Sequence, residues 1–339
     1  MNYLKISIIT PNLNQGKYLE DNIQSVIHQK YPNVEHIIID GGSNDCSLSI
    51  IKKYQNYLHY WISEKDDGQS NAINKGLKLV SGDIILWLNS DDKLNSNALH
   101  IVNDTFIKNN DIDILCGSSY IFNNFTRHIS YPTQNDFYLQ LLSRMPTPQP
   151  SCFFKKNVIE KNGLLNTQLH YAMDMEYLCR AHFINGFKFT FTDNILSWYR
   201  FHSDSKTISN TLKFANEWAI VFYSYLEKFG WIDELNKIAN LKLFNFDKKI
   251  DIPEISSHII KLYESNKSKI FAYFLLYQSY FYHRCNEFDK SRKILTFLKN
   301  NYYSEYKNLN IKKYYFSVKY LPDFIHYFKN YGKNLLNIL

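Results

Sequence analysis

The chain has 339 residues, 45% of them hydrophobic, enough for one large or two ordinary domains whose cores need no covalent staples. Five scattered cysteines with neither CxxC nor Cys/His spacing exclude a disulfide framework and a zinc cage, and no run is long enough to span a bilayer. The net charge of +7 is uneven: residues 210–339 hold 20 Lys and Arg against 12 Asp and Glu, which leaves −1 for residues 1–209.

In chain order, Lys5–Asn12 reads as a first strand broken by Thr10-Pro11-Asn12, and Gly16–Gln29 has helical spacing at Leu19, Ile23, Val26 and Ile27. A second strand, Glu35–Ile39, ends in Asp40-Gly41-Gly42-Ser43, and a helix follows through Leu48, Ile51 and Tyr54. Tyr60–Ser63 is a third strand and Gln69–Val80 a third helix. Ile84–Leu88 is an apolar run bounded by turn formers, which predicts a strand buried on both faces. This alternation predicts an α/β fold with a mostly parallel, doubly wound sheet flanked by helices. Further on, Asn97–Lys108 is helical, Ile112–Cys116 a strand and Tyr120–Tyr131 a hairpin. Three prolines within Met145–Ser151 make a shaped loop, and strand Cys152–Phe154 follows it. Met175, Leu178 and Phe183 mark the buried face of a helix with Asp174 near its start. Strand Phe187–Phe191 and the segment Leu196–His202 close this region.

Ligands of open α/β sheets collect beyond the carboxyl ends of strands, and here three such ends offer Asp40, Asp66 with Asp67, and Asp91 with Asp92. Two consecutive carboxylates repel unless a cation or donors offset them, and hard oxygen ligands suit Mg2+ or Mn2+. A solvated strand-end turn accounts for the same Ser-Asp-Asp composition, and a helix cap accounts for Asp174. No GxGxxG or Walker lysine pattern follows any strand, so neither a dinucleotide fold nor a P-loop is expected.

Eight short pieces, taken together, resemble an inverting family 2 glycosyltransferase of the GT-A fold and of the bacterial polysaccharide-biosynthesis type. They are Ser-Ile-Ile-Thr-Pro-Asn (7–12), Ile-Asp-Gly-Gly-Ser-Asn-Asp (39–45), Ser-Glu-Lys-Asp-Asp-Gly-Gln (63–69), Ala-Ile-Asn-Lys-Gly (72–76), the run from Gly82 to Asp92, Gln-Pro-Ser (149–151), Ala-Met-Asp-Met-Glu (172–176) and Tyr-Arg-Phe-His (199–202). Each is weak alone; their order along residues 3–205 makes them specific. The resemblance implies that Thr10, Pro11 and Asn12 line a nucleotide pocket, that Asp40 and Asp66 hold the base, and that Asp91 binds the ribose. It implies that Asp92, last residue of the family's DXD motif, holds a divalent metal (Mn2+ or Mg2+) on the diphosphate, with His202 as a further ligand or a structural histidine. Asp174 matches the catalytic base, with Glu176 in reserve. The donor implied is a nucleotide-diphosphate sugar, with uridine favoured. The acceptor implied is a hydroxyl of a glycan or lipid-linked glycan in cell-surface polysaccharide synthesis.

These readings set residues 1–209 as the catalytic domain and residues 210–339 as an α-helical C-terminal region. Phe214–Phe229 and Ile270–Asn300 have helical periodicity, the latter as a hairpin of the tetratricopeptide kind. Ile311–Leu339 mixes aromatic and aliphatic residues with lysines and suits either an amphipathic helix on a membrane surface or a core or partner face. The expected location is cytoplasmic, with the basic C-terminal region as the candidate contact to the inner face of the cell membrane; no nucleic-acid partner is expected. The competing reading is a non-catalytic sugar-nucleotide-binding or assembly protein that acts through its helical tail.

Overall fold

The structure, a computed structural model, describes residues 2–309 together with Ile311 and Tyr314, apart from Asn124, Ser203, Asp204, Asn245 and Asp247. The described residues divide into two compact units, one from residues 1–135 and 145–205, the other from residues 136–144 and from 206 onward. The second unit therefore starts four residues before position 210 and also takes nine residues from inside the first. A hydrophobicity pattern does not show which unit such a short insert belongs to.

The first unit opens with β1 (Ile6–Asn12), α1 (Gly16–Ile27), β2 (Val34–Asp40), α2 (Ser47–Tyr54), β3 (Tyr60–Ser63), α3 (Gln69–Leu77) and β4 (Ile84–Trp87). Next come β5 (Lys93–Leu94), α4 (Ala98–Lys108), β6 (Ile114–Phe122) and β7 (Arg127–Ser130); α5 (Phe137–Leu141) belongs to the second unit. The first unit resumes with β8 (Cys152–Lys155), α6 (Lys156–Asn162), α7 (Met173–Cys179) and β9 (Phe189–Arg200).

The strands form one sheet in the order β3-β2-β1-β4-β8-β6-β9-β5, with β7 on β6. The first four run parallel, as their strand-helix alternation requires. Beyond them β8 is antiparallel to β4 and β6, β7 to β6 and β5 to β9, while β6 and β9 are parallel, so the whole sheet is mixed. Period-2 alternation sends β-strand side chains to two covered faces. Ile6, Ile8, Leu86 and Leu88 pack with Val26 of α1 and with Leu99 and Val102 of α4, whereas Ile37 and Ile39 pack with Ala72 of α3 on the other face. The close seat of α3 depends on Gly76, where a Cβ would come 2.4 Å from Cγ2 of Ile9.

Two sequence expectations are corrected here. Thr10-Pro11-Asn12 does not break β1, because these residues stay in parallel register with Ile38, Ile39 and Asp40. On the opposite side β4 has ended at Trp87, opposite Ile9, so Pro11 sits where β1 is paired on one side only and its missing N–H is tolerated. Phe187–Phe191 and Leu196–His202 are likewise not separate: β9 runs unbroken from Phe189 to Arg200, and register shifts against β6 between Cys116 and Ser119 absorb the polar Asp193-Asn194. The proline-rich loop ends in a single 3-10 turn, Gln149–Ser151, with Pro150 inside its first positions.

The second unit adds α8 (Lys206–Ser209), α9 (Thr211–Lys228), α10 (Ile232–Ala239), α11 (Ser257–Glu264), α12 (Lys267–Arg284), α13 (Phe288–Asn301) and α14 (Tyr303–Asn308). The expected helical hairpin is present as α12 and α13, held by the buried Ser279 and Ser291 hydroxyls 2.8 Å apart. Phe222 of α9 stacks on Phe274 of α12 with centroids 3.8 Å apart. The insert is tied into the same unit, where Tyr273 donates to Asp136 (2.8 Å) and Tyr277 to Gln140 (3.0 Å), and the Arg144 guanidinium lies over the Tyr277 ring. Apart from Ile311 and Tyr314, the amphipathic segment expected over 311–339 lies outside the described residues. Among the described residues no helix is long and apolar enough to cross a membrane.

Candidate active site

The carboxyl ends of β1, β2 and β3 meet at Asp40. Its Oδ1 accepts from Asn12 Nδ2 and Ser43 Oγ (both 2.6 Å), and its Oδ2 accepts from Ser63 Oγ (2.6 Å) and from the Ser43 and Gly42 N–H groups (2.9 and 3.2 Å). Burial pushes this carboxyl up, but the donors from Ser43, Ser63 and Asn12 outweigh it and hold it below the usual carboxylate range. Asp40 thus stays ionised with both oxygens engaged by the chain itself, and it reaches no solvent. It braces the three strand ends.

Thr10 is also fully buried. Its hydroxyl is shared between Asn22 Oδ1 (3.3 Å) and His36 Nε2 (2.9 Å), on the α1 side of the sheet. Asn22 in turn donates to the carbonyls of Asn89 and Asp92 (both 2.9 Å) and so clamps the turn after β4. Thr10 therefore supports the site from behind instead of lining an open pocket. Pro11 and Asn12 are buried beside it, and Asn12 Oδ1 meets no donor, an acceptor left over at the end of β1. Asp66 is half-buried, with Oδ1 capping the Gly68 N–H at 2.9 Å. Its Oδ2 lies 2.9 Å from where a Gly41 Cβ would stand, so the glycine lets this acid close against the end of β2. Asp66 and not Asp40 is thus the acid presented at this end.

After β4 the two neighbouring acids diverge. Asp91 Oδ2 stands 3.0 Å from His202 Nε2, and both side chains keep a little exposure, 19% and 10%. Asp92 is 1% exposed; its Oδ1 accepts the Arg200 N–H at 2.9 Å, and its Oδ2 meets no donor. Burial first, and the Asp91 charge second, hold the Asp92 carboxyl well above the usual carboxylate range, against the pull of the Arg200 N–H. Arg200, at the end of β9, donates Nε to the Asp91 carbonyl (2.9 Å) and Nη2 to Asp21 (3.0 Å), and lies over Tyr18, whose ring also packs on His202 with centroids 4.6 Å apart. The structure brings His202 to Asp91, where the resemblance paired it with Asp92. Arg200 and Tyr18, which organise this corner, were not singled out by sequence, although Arg200 stands inside Tyr-Arg-Phe-His.

Asp174 lies half-buried in the first turn of α7, where the helix dipole favours a carboxylate. Trp87 Nε1 donates to its Oδ1 at 3.2 Å. Glu176 is turned away: its carboxylate is 3% exposed and held by Arg180 Nε at 2.9 Å, which removes it as a reserve base. Behind Trp87 runs a chain of neutral amides: Gln69 Nε2 donates to Asn89 Oδ1 (2.7 Å), Asn89 Nδ2 to Gln149 Oε1 (3.3 Å), and Gln149 Nε2 to the Trp87 carbonyl (2.9 Å). The 3-10 turn carrying Gln149 is fixed by three buried hydroxyls, Ser151 with Ser119 (2.8 Å) and with Ser197 (2.7 Å).

Comparison with known proteins identifies the region. The sequence profile "Glycosyl transferase family 2" matches residues 7–173. The chain is 28% identical over 192 residues to the poly(ribitol-phosphate) beta-N-acetylglucosaminyltransferase TarP of Staphylococcus aureus, an alignment covering 55% of this chain and 52% of TarP. Among solved structures, S. aureus TarS in complex with UDP-GlcNAc superposes with a TM-score of 0.54 at 16% identity, covering 91% of this chain and 92% of that one. A mannosyltransferase of Pyrobaculum calidifontis in complex with GDP-Man and Mn2+ gives 0.56 at 12% identity, covering 100% and 86%. At these identities the structural likeness shows the fold, GT-A, with a helical region after it.

Proposed function

We propose, from residues 7–173 being a family 2 glycosyltransferase domain, that the chain transfers a sugar from a nucleotide-diphosphate donor to a hydroxyl of a glycan or glycolipid acceptor, with inversion, in cell-surface polysaccharide synthesis. The observation that carries this reading is the pairing of two unlike carboxylate stations on one strand end. Asp91 with His202 and the half-satisfied Asp92 follow β4, and Asp174 hangs from Trp87 at the last residue of β4. One station suits a cation on a diphosphate, the other a proton acceptor.

The residues fit a divalent metal. Asp92 keeps a buried oxygen without a donor, and Asp91 and His202 converge within 3.0 Å. Among the described residues no three His, Cys, Asp or Glu side chains form a self-sufficient cage, so a cation here would need further ligands such as phosphate oxygens and water, as Mg2+ and Mn2+ commonly use. Asp91 and His202 are the side chains that would hold it, with Asp92 behind them. Such a metal neutralises charge that develops on the departing nucleoside diphosphate. Asp66, the partly exposed acid at this end, is the acceptor for a base N–H; uridine is favoured by analogy with the fold neighbour TarS, whose complex holds UDP-GlcNAc. Asp174 accepts the proton of the acceptor hydroxyl as that oxygen forms its bond to the anomeric carbon and the bond to the diphosphate oxygen breaks, and a single displacement inverts the centre. The amide chain through Gln149 ties the proline-rich loop to the same strand, which makes that loop the wall that selects acceptors.

Nucleotide release from UDP-, GDP- and dTDP-sugars, with Mn2+ or Mg2+ and with chelator, tests the reading. Metal-dependent turnover of one donor supports it. Absence of both turnover and nucleotide binding across the panel would favour the non-catalytic assembly role instead.

A further inference from the structure

Trp87 is fixed by its ring, its indole N–H and its backbone carbonyl together. Its indole is 1% exposed, stacks on Phe154 at 4.6 Å and 11° between planes, and meets the Tyr177 ring edge-on at 5.4 Å and 86°. Tyr177 stands three residues after Asp174 on α7, so one ring touches one turn of that helix at two points: an aromatic edge at Tyr177 and a hydrogen bond at Asp174. The Trp87 backbone is fixed from the other side, its carbonyl accepting from Gln149. A buried indole N–H usually finds an acceptor, and this one finds a half-buried carboxylate at the sheet's ligand end.

We propose that Trp87 is a positioning residue for the transfer reaction: its N–H aims the Asp174 carboxylate at the acceptor hydroxyl and favours its ionised form. The inference rests on Asp174 being the base. Both stations of the site then refer to one strand, since Asp91 follows Trp87 by four residues. The spacing between proton acceptor and metal-facing carboxylate is set by β4 and the Asn22-clamped turn after it. A donor to the charged form of an acid stabilises that form, so without it the acid is a stronger proton holder and a worse-aimed one.

The test compares Trp87→Phe, which keeps an aromatic ring between Phe154 and Tyr177 but has no N–H, with wild type and with Asp174→Asn. The expected result is a fall in kcat of about 10- to 100-fold, the size expected for a lost hydrogen bond to a charged group. Donor affinity should stay within about twofold, because uniform binding is untouched. The acidic limb of the kcat/KM profile should move to higher pH, which a loss of packing alone would not cause. Trp87→Met, with a flexible apolar side chain, repeats the measurement should the Phe variant fail to fold. A folded variant of either kind with wild-type kcat and an unmoved acidic limb, while Asp174→Asn is inactive, overturns the inference and leaves the base assignment standing. Wild-type turnover by Asp174→Asn removes the base assignment itself, and the inference falls with it.

Discussion

His202 Nε2 and Asp91 Oδ2 lie 3.0 Å apart although 111 residues separate them, and the ring of Tyr18 from α1 covers the histidine. β9 delivers the histidine and β4 the acid. In the proposed reading these two side chains would hold a metal against the diphosphate. His202→Ala and Asp91→Asn are each expected to raise the Mn2+ concentration needed for half-maximal turnover by about 10- to 100-fold. A metal titration at saturating donor measures this, and unchanged titration curves for both variants would move the metal elsewhere.

The core beneath the site predicts a pH dependence of folding. Burial lowers the pKa of His36 from 6.5 to about 3, and that of the half-buried His182 to about 4. Because these histidines are neutral in the folded protein, their contribution is complete above pH 6.5 and declines as pH falls toward those values. Each adds a slope of about 1.4 kcal/mol per pH unit in that window. Burial pushes Glu35 up, but Lys5, Ser7 and Ser81 outweigh it and hold it at about 2 against 4.5 unfolded, so its contribution is complete above pH 4.5 and is lost only as pH falls through about 2. Urea unfolding between pH 7 and 4.5 should therefore show a decline that His36→Gln makes shallower by about one proton. An equal slope in both proteins would contradict the burial of a neutral imidazole there.

The hydroxyl cluster of Ser119, Ser151 and Ser197 is fully buried and pins the Gln149 turn to β6 and β9. Ser151→Ala removes the hydroxyl that bonds Ser119, Ser197 and the Ser118 carbonyl and is expected to destabilise the protein by about 1–3 kcal/mol. If the Gln149 loop is the acceptor wall as proposed, its KM for acceptor should rise more than its KM for donor. Equal effects on the two substrates would separate this loop from acceptor choice.

Much of the frame was legible in sequence for a physical reason. Ile84–Leu88 is apolar on both faces, and the helices before it have 3.6-residue spacing, so β4 and its neighbours followed from burial alone. Asp91, Asp92 and Asp174 could be placed because each ends a strand or starts a helix. What could not be read was which way each acid points. Asp91 and Asp92 are adjacent, and only the arrival of Arg200 at the end of β9 and of His202 after it pairs one, partly exposed, with the histidine and buries the other on the Arg200 N–H. Asp40 and Thr10 fit a binding motif, yet the partners that engage them are Ser43, Ser63, Asn22 and His36, contacts that local spacing does not encode. The chain of Gln69, Asn89 and Gln149 left no signal because neutral amides carry neither charge nor periodicity. Residues 136–144 join the helical unit through Tyr273 and Tyr277, more than 130 residues later in the chain.

The most direct test of the central claim, that this domain transfers a sugar with Asp174 as proton acceptor, measures donor binding and acceptor-dependent turnover on the same Asp174→Asn preparation. The account predicts donor affinity within about twofold of wild type and a loss of turnover of at least about 100-fold, the contribution of a positioned general base. Asp174→Asn turning over at the wild-type rate with the same acceptor would contradict it.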